Sequence, residues 1–341
     1  MPVNTSRTTY REHTDTENIL KLRQVLSTLP AFCKDYFRAI DSTTTTKTRI
    51  SYAYDIRIFF QFLLDENPAF KNYAMTDFSV EILDQIKAVD LEEYMEYLKV
   101  YQNGDKTETN GERGLKRKIS ALRSFYAYYY KREMIHTNPT VLIDVPKIHD
   151  KSIIRLDTDE VALLLDYIEH CGDSLTGQKR VYYEKTKERD LAIVTLLLGT
   201  GIRVSECVGL DIEDVDFKNN GIKVTRKGGN EMVVYFGEEV EKALKRYLEI
   251  REGITPLAGH EHALFYSAQR KRMGVQAVEN MVKKYSRQIT TTKKITPHKL
   301  RSTYGTALYQ ETGDIYLVAD VLGHKDVNTT KKHYAALDDA R

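Results

Sequence analysis

The sequence predicts a mainly α chain: a helical N-terminal domain, then a mixed α/β domain carrying one small antiparallel sheet. Three observations predict it. Apolar residues recur at three- and four-residue spacing through the N-terminal part. A stretch with two prolines, mixed polarity and no helical period, 138–157, interrupts that pattern. Beyond it, three short alternating segments separated by Asn/Gly turns stand among further helical patterns. At 341 residues the chain is long enough for two domains of roughly 100–200 residues each.

Taken in order, residues 1–16 are expected to be a flexible tail and 17–137 a helical domain of four or five helices. In 48–66, Tyr52, Ile56, Phe59, Phe60 and Leu63 form one helical stripe, read as a core face rather than a base-stacking platform. A shorter helix is expected over 91–101, a polar loop over 102–114 and a helix over 115–132. Residues 138–157 read as a linker. In 158–341, Asp157 with Glu160 marks a helix start, and 189–198 reads as a buried helix. The segments 215–217, 222–226 and 231–236 read as strands joined by Asn219-Asn220-Gly221 and Gly228-Gly229-Asn230. Helices are expected to begin near Gly237, Gly274, Thr296, Asp314 and Asn328.

No apolar run approaches the ~20 residues of a membrane span, and the polar N-terminus predicts no secretory signal. Cys33, Cys171 and Cys207 are too far apart and odd in number for a disulfide framework or zinc site, so a cytoplasmic location is expected. Net charge is only +2, but it is unevenly distributed. Residues 113–132 hold seven basic side chains and no acidic one; 269–301 hold ten against the single Glu279. Acidic side chains collect in 77–108, nine against three basic. Two concentrated basic patches suit a polyanion bound through one face.

Four features carry chemistry: Gly199-Thr200-Gly201-Ile202-Arg203-Val204-Ser205-Glu206 after the buried helix; Lys227 at the tip of the expected hairpin; His298-Lys299-Leu300-Arg301 after Pro297; and Leu322-Gly323-His324, followed ten residues later by Tyr334. Each alone has an ordinary structural explanation: an ion pair, a solvated turn, a cap or a core tyrosine. The order and spacing of the set set it apart. It resembles the tyrosine recombinases, or phage integrases, and looks most like their two-domain Xer-type members. The resemblance covers nearly the whole chain from about residue 20.

That resemblance implies a DNA-binding domain at 17–137 and a catalytic domain at 158–341. It implies a catalytic set of Arg203, Lys227, His298, Arg301, His324 and Tyr334. Attack on a phosphodiester loads negative charge on the non-bridging oxygens. Two always-charged guanidiniums, Arg203 and Arg301, can receive it, and His324 can add a donor. Tyr334 must lose a proton as it attacks, for which His298 is the better base. The resemblance assigns to Lys227 the proton given to the departing 5′-oxygen. Glu206 is expected to orient Arg203. No cofactor or metal is expected; His260-Glu261-His262 reads as a polar loop.

The implied partner is double-stranded DNA with an inverted-repeat core site, held in a C-shaped clamp. Candidate contacts are Lys116, Arg117 and Arg123 in the first domain and Arg270, Lys271, Arg272, Lys283 and Lys284 in the second. The family implies a monomer when free and a homotetramer on DNA. Only seven residues follow Tyr334, where many relatives carry a longer exchanged helix, so either a shorter contact or a truncated chain is expected. The expected function is integration or excision of a mobile element or phage, with chromosome or plasmid dimer resolution as the alternative. A type IB topoisomerase and a non-catalytic DNA-binding relative are the rivals; length and layout disfavour the first, the full catalytic set the second.

Overall fold

The computed structural model describes residues 9–149, 153–226 and 229–323. The chain divides into two units, Met1–Asp150 and Lys151–Arg341. In the first, α1 (Tyr10–Ser27) is followed by α2 (Cys33–Ala39), α3 (Thr46–Glu66), α4 (Ile82–Gln85) and α5 (Ala88–Tyr97). A hairpin of β1 (Val100–Asn103) and β2 (Lys106–Thr109) then leads into α6 (Glu112–Lys131). Two expectations are corrected here. Helix α1 begins inside the stretch expected to be a tail, because Thr9 and Glu12 form a capping box: the Glu12 carboxylate accepts the Thr9 N–H at 2.7 Å and the Thr9 hydroxyl accepts the Glu12 N–H at 3.3 Å. The unit is also not all-helical. Residues 100–109, divided in the sequence reading between a helix and a loop, pair as antiparallel strands from Val100↔Thr109 to Asn103↔Lys106.

The core of this unit lies between α3 and α6. Ile56, Phe59, Phe60 and Leu63 of α3 are buried with Ile119, Leu122, Phe125 and Tyr126 of α6. Rings meet edge to face, Phe60 on Phe125 at 6.3 Å and Phe59 on Tyr94 at 5.3 Å. The aromatic stripe of α3 is therefore core; each such side chain contributes about 1.5–3 kcal/mol by leaving water.

The second unit comprises α7 (Thr158–His170), α8 (Gly177–Thr200), α9 (Val204–Gly209), β3 (Val215–Asp216), β4 (Gly221–Thr225), β5 (Glu231–Tyr235), α10 (Glu238–Glu252), α11 (Val275–Ile289), α12 (Pro297–Thr312) and α13 (Ile315–Leu322). The sheet order is β3-β4-β5, antiparallel throughout. Helices α10, α11, α12 and α13 start after Gly237, Gly274, Thr296 and Asp314, as the sequence signals predict. The start expected near Asn328 lies outside the described residues. Helix α8 is the central rod: Leu191–Leu197 is buried or nearly so along its length, and α7, α10 and α12 pack around it. No helix among the described residues is long and apolar enough to cross a membrane.

Candidate active site

The site is built where the end of α8 meets the start of α9. Gly201 closes α8 in the left-handed region at φ 61°, which favours glycine. A Cβ there would also lie 2.3 Å from the Tyr304 ring of α12, and one on Gly199 would lie 2.5 Å from Val240 of α10. The Gly-Thr-Gly sequence thus lets two helices close in on the turn. Two residues later Arg203, in extended backbone, caps α9. Its N–H donates to Glu206 Oε2 and its Nη1 to Glu206 Oε1, both at 2.8 Å. The Glu206 side chain is only 3% exposed, while that of Arg203 is 34% exposed. A buried carboxylate therefore grips one side of a guanidinium that still reaches the surface.

Helix α12 supplies the second arginine. Pro297 occupies its first turn, where a missing N–H costs nothing. His298 and Arg301 follow three residues apart, so they share one side of the helix. His298 is exposed; Arg301 is buried at 4%. Arg301 Nη1 donates to the Gly201 carbonyl and its Nη2 to the Leu322 carbonyl.

The last turn of α13 gathers these groups. Val321, Leu322 and Gly323 lie at its end, where backbone carbonyls lack helical partners and the helix dipole is negative. Arg226 Nη2 donates to Val321 O at 2.7 Å, Arg301 to Leu322 O, and Arg203 Nη2 to Gly323 O at 3.2 Å. Three guanidiniums from three separate segments thus converge on three consecutive carbonyls. The sequence motifs single out two of them; Arg226 stands in the sequence only as the end of a strand. Burial pulls its pKa below the ordinary arginine value, with neighbouring Arg203 adding to that and Glu206 opposing it. Such a cluster can take up the charge of a phosphate.

Lys227, His324 and Tyr334 lie outside the described residues. They flank this cluster in the chain, Lys227 directly after Arg226 and His324 directly after Gly323.

The DNA-contact candidates divide into two groups. Lys116, Arg270, Lys271, Lys283 and Lys284 are exposed. Arg270, at φ 61°, and Lys271 sit on a tight turn closed by Ser267 N–H on Lys271 O at 2.7 Å. The other three have protein partners, although Arg117 is itself exposed. Arg117 pairs with buried Asp55, which Lys118 also approaches at 3.5 Å. Arg123 donates to Thr140 O at 3.1 Å and Ile143 O at 2.7 Å. Arg272 donates to Val208 O at 3.1 Å, to Leu210 O at 2.7 Å and to Asp211. In the loop at 260–262, Glu261 accepts the Gly259 N–H at 2.9 Å and His262 pairs with Glu213.

Residues 155–341 match the model of the phage integrase family. The chain is 33% identical over 315 residues to tyrosine recombinase XerC of Caldanaerobacter subterraneus subsp. tengcongensis, covering 90% of this chain and 82% of that protein. It is 30% identical to tyrosine recombinase XerS of Lactococcus lactis subsp. cremoris, covering 92% and 93%. Among solved structures, XerH bound to palindromic difH in a post-cleavage complex aligns with a TM-score of 0.66 at 20% identity, covering 98% of this chain and 90% of that one. The Tn1549 transposon integrase aligns with a TM-score of 0.63, also at 20% identity, over 89% and 94%. The chain belongs to the phage integrase family of tyrosine recombinases, enzymes that break and rejoin DNA strands in site-specific recombination.

Proposed function

We propose that this recombinase cleaves a duplex core site through Tyr334, with Arg203 and Arg301 as the phosphate clamp. The observation that carries the reading is the convergence of these two arginines, one fixed by Glu206 and the other by Gly201 O and Leu322 O. The Tyr334 oxygen attacks phosphorus as the bond to the 5′-oxygen breaks. His298 takes the tyrosyl proton, and Lys227 gives a proton to the departing oxygen. His324 adds a donor to the non-bridging oxygens. The product is a 3′-phosphotyrosyl link and a free 5′-hydroxyl. Because the phosphoester is conserved, a second 5′-hydroxyl reverses the step without a nucleotide cofactor.

The DNA partner is duplex with inverted repeats, bound through exposed Lys116, Arg270, Lys271, Lys283 and Lys284. Arg117, Arg123 and Arg272 hold protein partners and join them in a supporting role. The names of the structural neighbours, complexes with difH and with circular-intermediate DNA, support a DNA partner. The assembly on DNA is a homotetramer of chains that are monomers when free. The role we favour is integration or excision of a mobile element; likeness to relatives named XerC and XerS favours dimer resolution as the second reading.

Covalent capture from a pool of randomised inverted-repeat duplexes tests this reading. The selected site, placed twice on a plasmid, should recombine in the presence of a metal chelator while plasmids lacking it stay supercoiled. Relaxation of any plasmid without exchange, or loss of activity restored by a divalent ion, would contradict it.

A further inference from the structure

The two-arginine clamp leaves the third guanidinium without a task. Arg226 is only 8% exposed. Its backbone closes the β4–β5 hairpin: its N–H donates to Asn230 O at 2.8 Å and its carbonyl accepts the Gly229 N–H at 2.9 Å. Its side chain then leaves the sheet. Nε lies 2.8 Å from Met232 Sδ, and Nη2 donates to Val321 O of α13 at 2.7 Å. Nη1 is buried with no hydrogen-bond partner among the described residues. It presses so closely on Gly323 that a Cβ there would lie 2.2 Å from it. Gly323 thus answers two demands, a left-handed φ of 59° and the approach of this guanidinium.

Stability alone does not account for such a residue. Burying a guanidinium is costly unless its donors are satisfied, and an apolar side chain of similar size avoids that cost. What Arg226 uniquely provides is a link between two segments 95 positions apart, each continuing into a candidate catalytic residue. On one side Lys227 is the next residue in the chain. On the other, the clamped turn ends at Gly323, just before His324.

We propose that Arg226 is a positioning residue for leaving-group protonation, clamping the base of the β4–β5 loop to the last turn of α13 and so fixing where Lys227 is presented. This rests on the reading of Lys227 as the general acid. A misplacement of about 1 Å in a catalytic group can cost about 100-fold in rate. Loss of the clamp therefore slows the step in which the 5′-oxygen takes its proton, and leaves attack by Tyr334 and the arginine clamp in place.

The test compares single-turnover cleavage of the captured core site with that of the same site bearing a 5′-bridging phosphorothiolate. The sulfur departs as a thiolate and needs no proton. Arg226→Met is expected to slow cleavage of the ordinary phosphodiester about 10–100-fold, and the phosphorothiolate to restore most of the loss. Arg226→Lys, which keeps a charge and one donor, should show a smaller loss restored in the same way, and carries the comparison if the methionine variant fails to fold. Lys227→Ala serves as the reference. If Lys227→Ala is restored by sulfur and the Arg226 variants are slowed equally on both substrates, or not slowed at all, the positioning role is overturned and the acid role stands. If Lys227→Ala itself is not restored, the acid role fails and the positioning role falls with it.

Discussion

At the scale of single residues, the pairing of Glu206 with Arg203 defines the candidate site most sharply. Two hydrogen bonds of 2.8 Å run from one residue to a carboxylate three positions on. The sequence carries this pair in its Gly-Ile-Arg-Val-Ser-Glu run, because a helix start brings positions three apart together. With Arg203 in its proposed place on the phosphate, Arg203→Ala should lower single-turnover cleavage about 10²–10³-fold with DNA binding kept. Glu206→Gln keeps one acceptor oxygen but loses the charge, so a smaller fall is expected, about 10-fold. Equal rates for Glu206→Gln and the parent enzyme would show that Arg203 orients itself. Arg226 is not legible in the sequence in this way. It stands at the end of an alternating strand, and its partner Val321 is brought to it only by the fold.

At the scale of elements, local signals are legible and long-range ones are not. Starts of helices at Gly237, Gly274, Thr296 and Asp314 follow from residues adjacent in sequence. The β1–β2 hairpin escapes such a reading because its strands are polar: β2 is exposed throughout, and in β1 only Tyr101 is buried. Alternation of apolar residues therefore gives no signal, though Gly104-Asp105, the two residues between the strands, with Gly104 at φ 61°, is an available turn cue. The pairing of α3 with α6 hides a charged cluster of the same long-range kind. Asp55 is buried at 2% between Arg117 and Lys118, and Lys118 itself is only 6% exposed. Burial raises the Asp55 pKa, with both cations opposing it, and burial lowers that of Lys118. Asp55→Ala leaves a buried ammonium unpaired, so thermal or urea unfolding should show a loss of about 3–5 kcal/mol. A loss below about 1 kcal/mol would mean that Lys118 finds water at little cost.

A second pairing between elements sets a pH dependence. Asp84 of α4 accepts the N–H groups of His136 and Thr137, each at 2.8 Å. Desolvation raises its pKa, but these donors, Thr137 first, more than offset it and hold it below the ordinary 3.8. A carboxylate depressed in the folded state contributes stability that is fully present above its unfolded value and is lost as pH falls through the folded value. Asp84→Asn should therefore unfold more readily than the parent at neutral pH, and the gap between the two melting curves should close below pH 3.8. A gap that stays constant with pH would show that the charge contributes nothing there.

At the scale of the whole molecule, a recombinase with formal charge of only +2 must bind DNA through local patches. Lys283 and Lys284 are exposed on α11 and Lys116 on α6. Replacing all three with Ala should weaken binding to any duplex and flatten the salt dependence by about 0.9 for each phosphate no longer neutralised. Weakening confined to the selected site would make them readers of sequence instead. The proposed chemistry, however, turns on one covalent bond. A nicked form of the captured core site, which releases its downstream fragment after cleavage, traps the intermediate for proteolysis and mass spectrometry. A DNA 3′-phosphate is expected on the peptide carrying Tyr334, and no adduct from Tyr334→Phe under the same conditions. An adduct through a 5′-phosphate, on another residue, or surviving in Tyr334→Phe would contradict it.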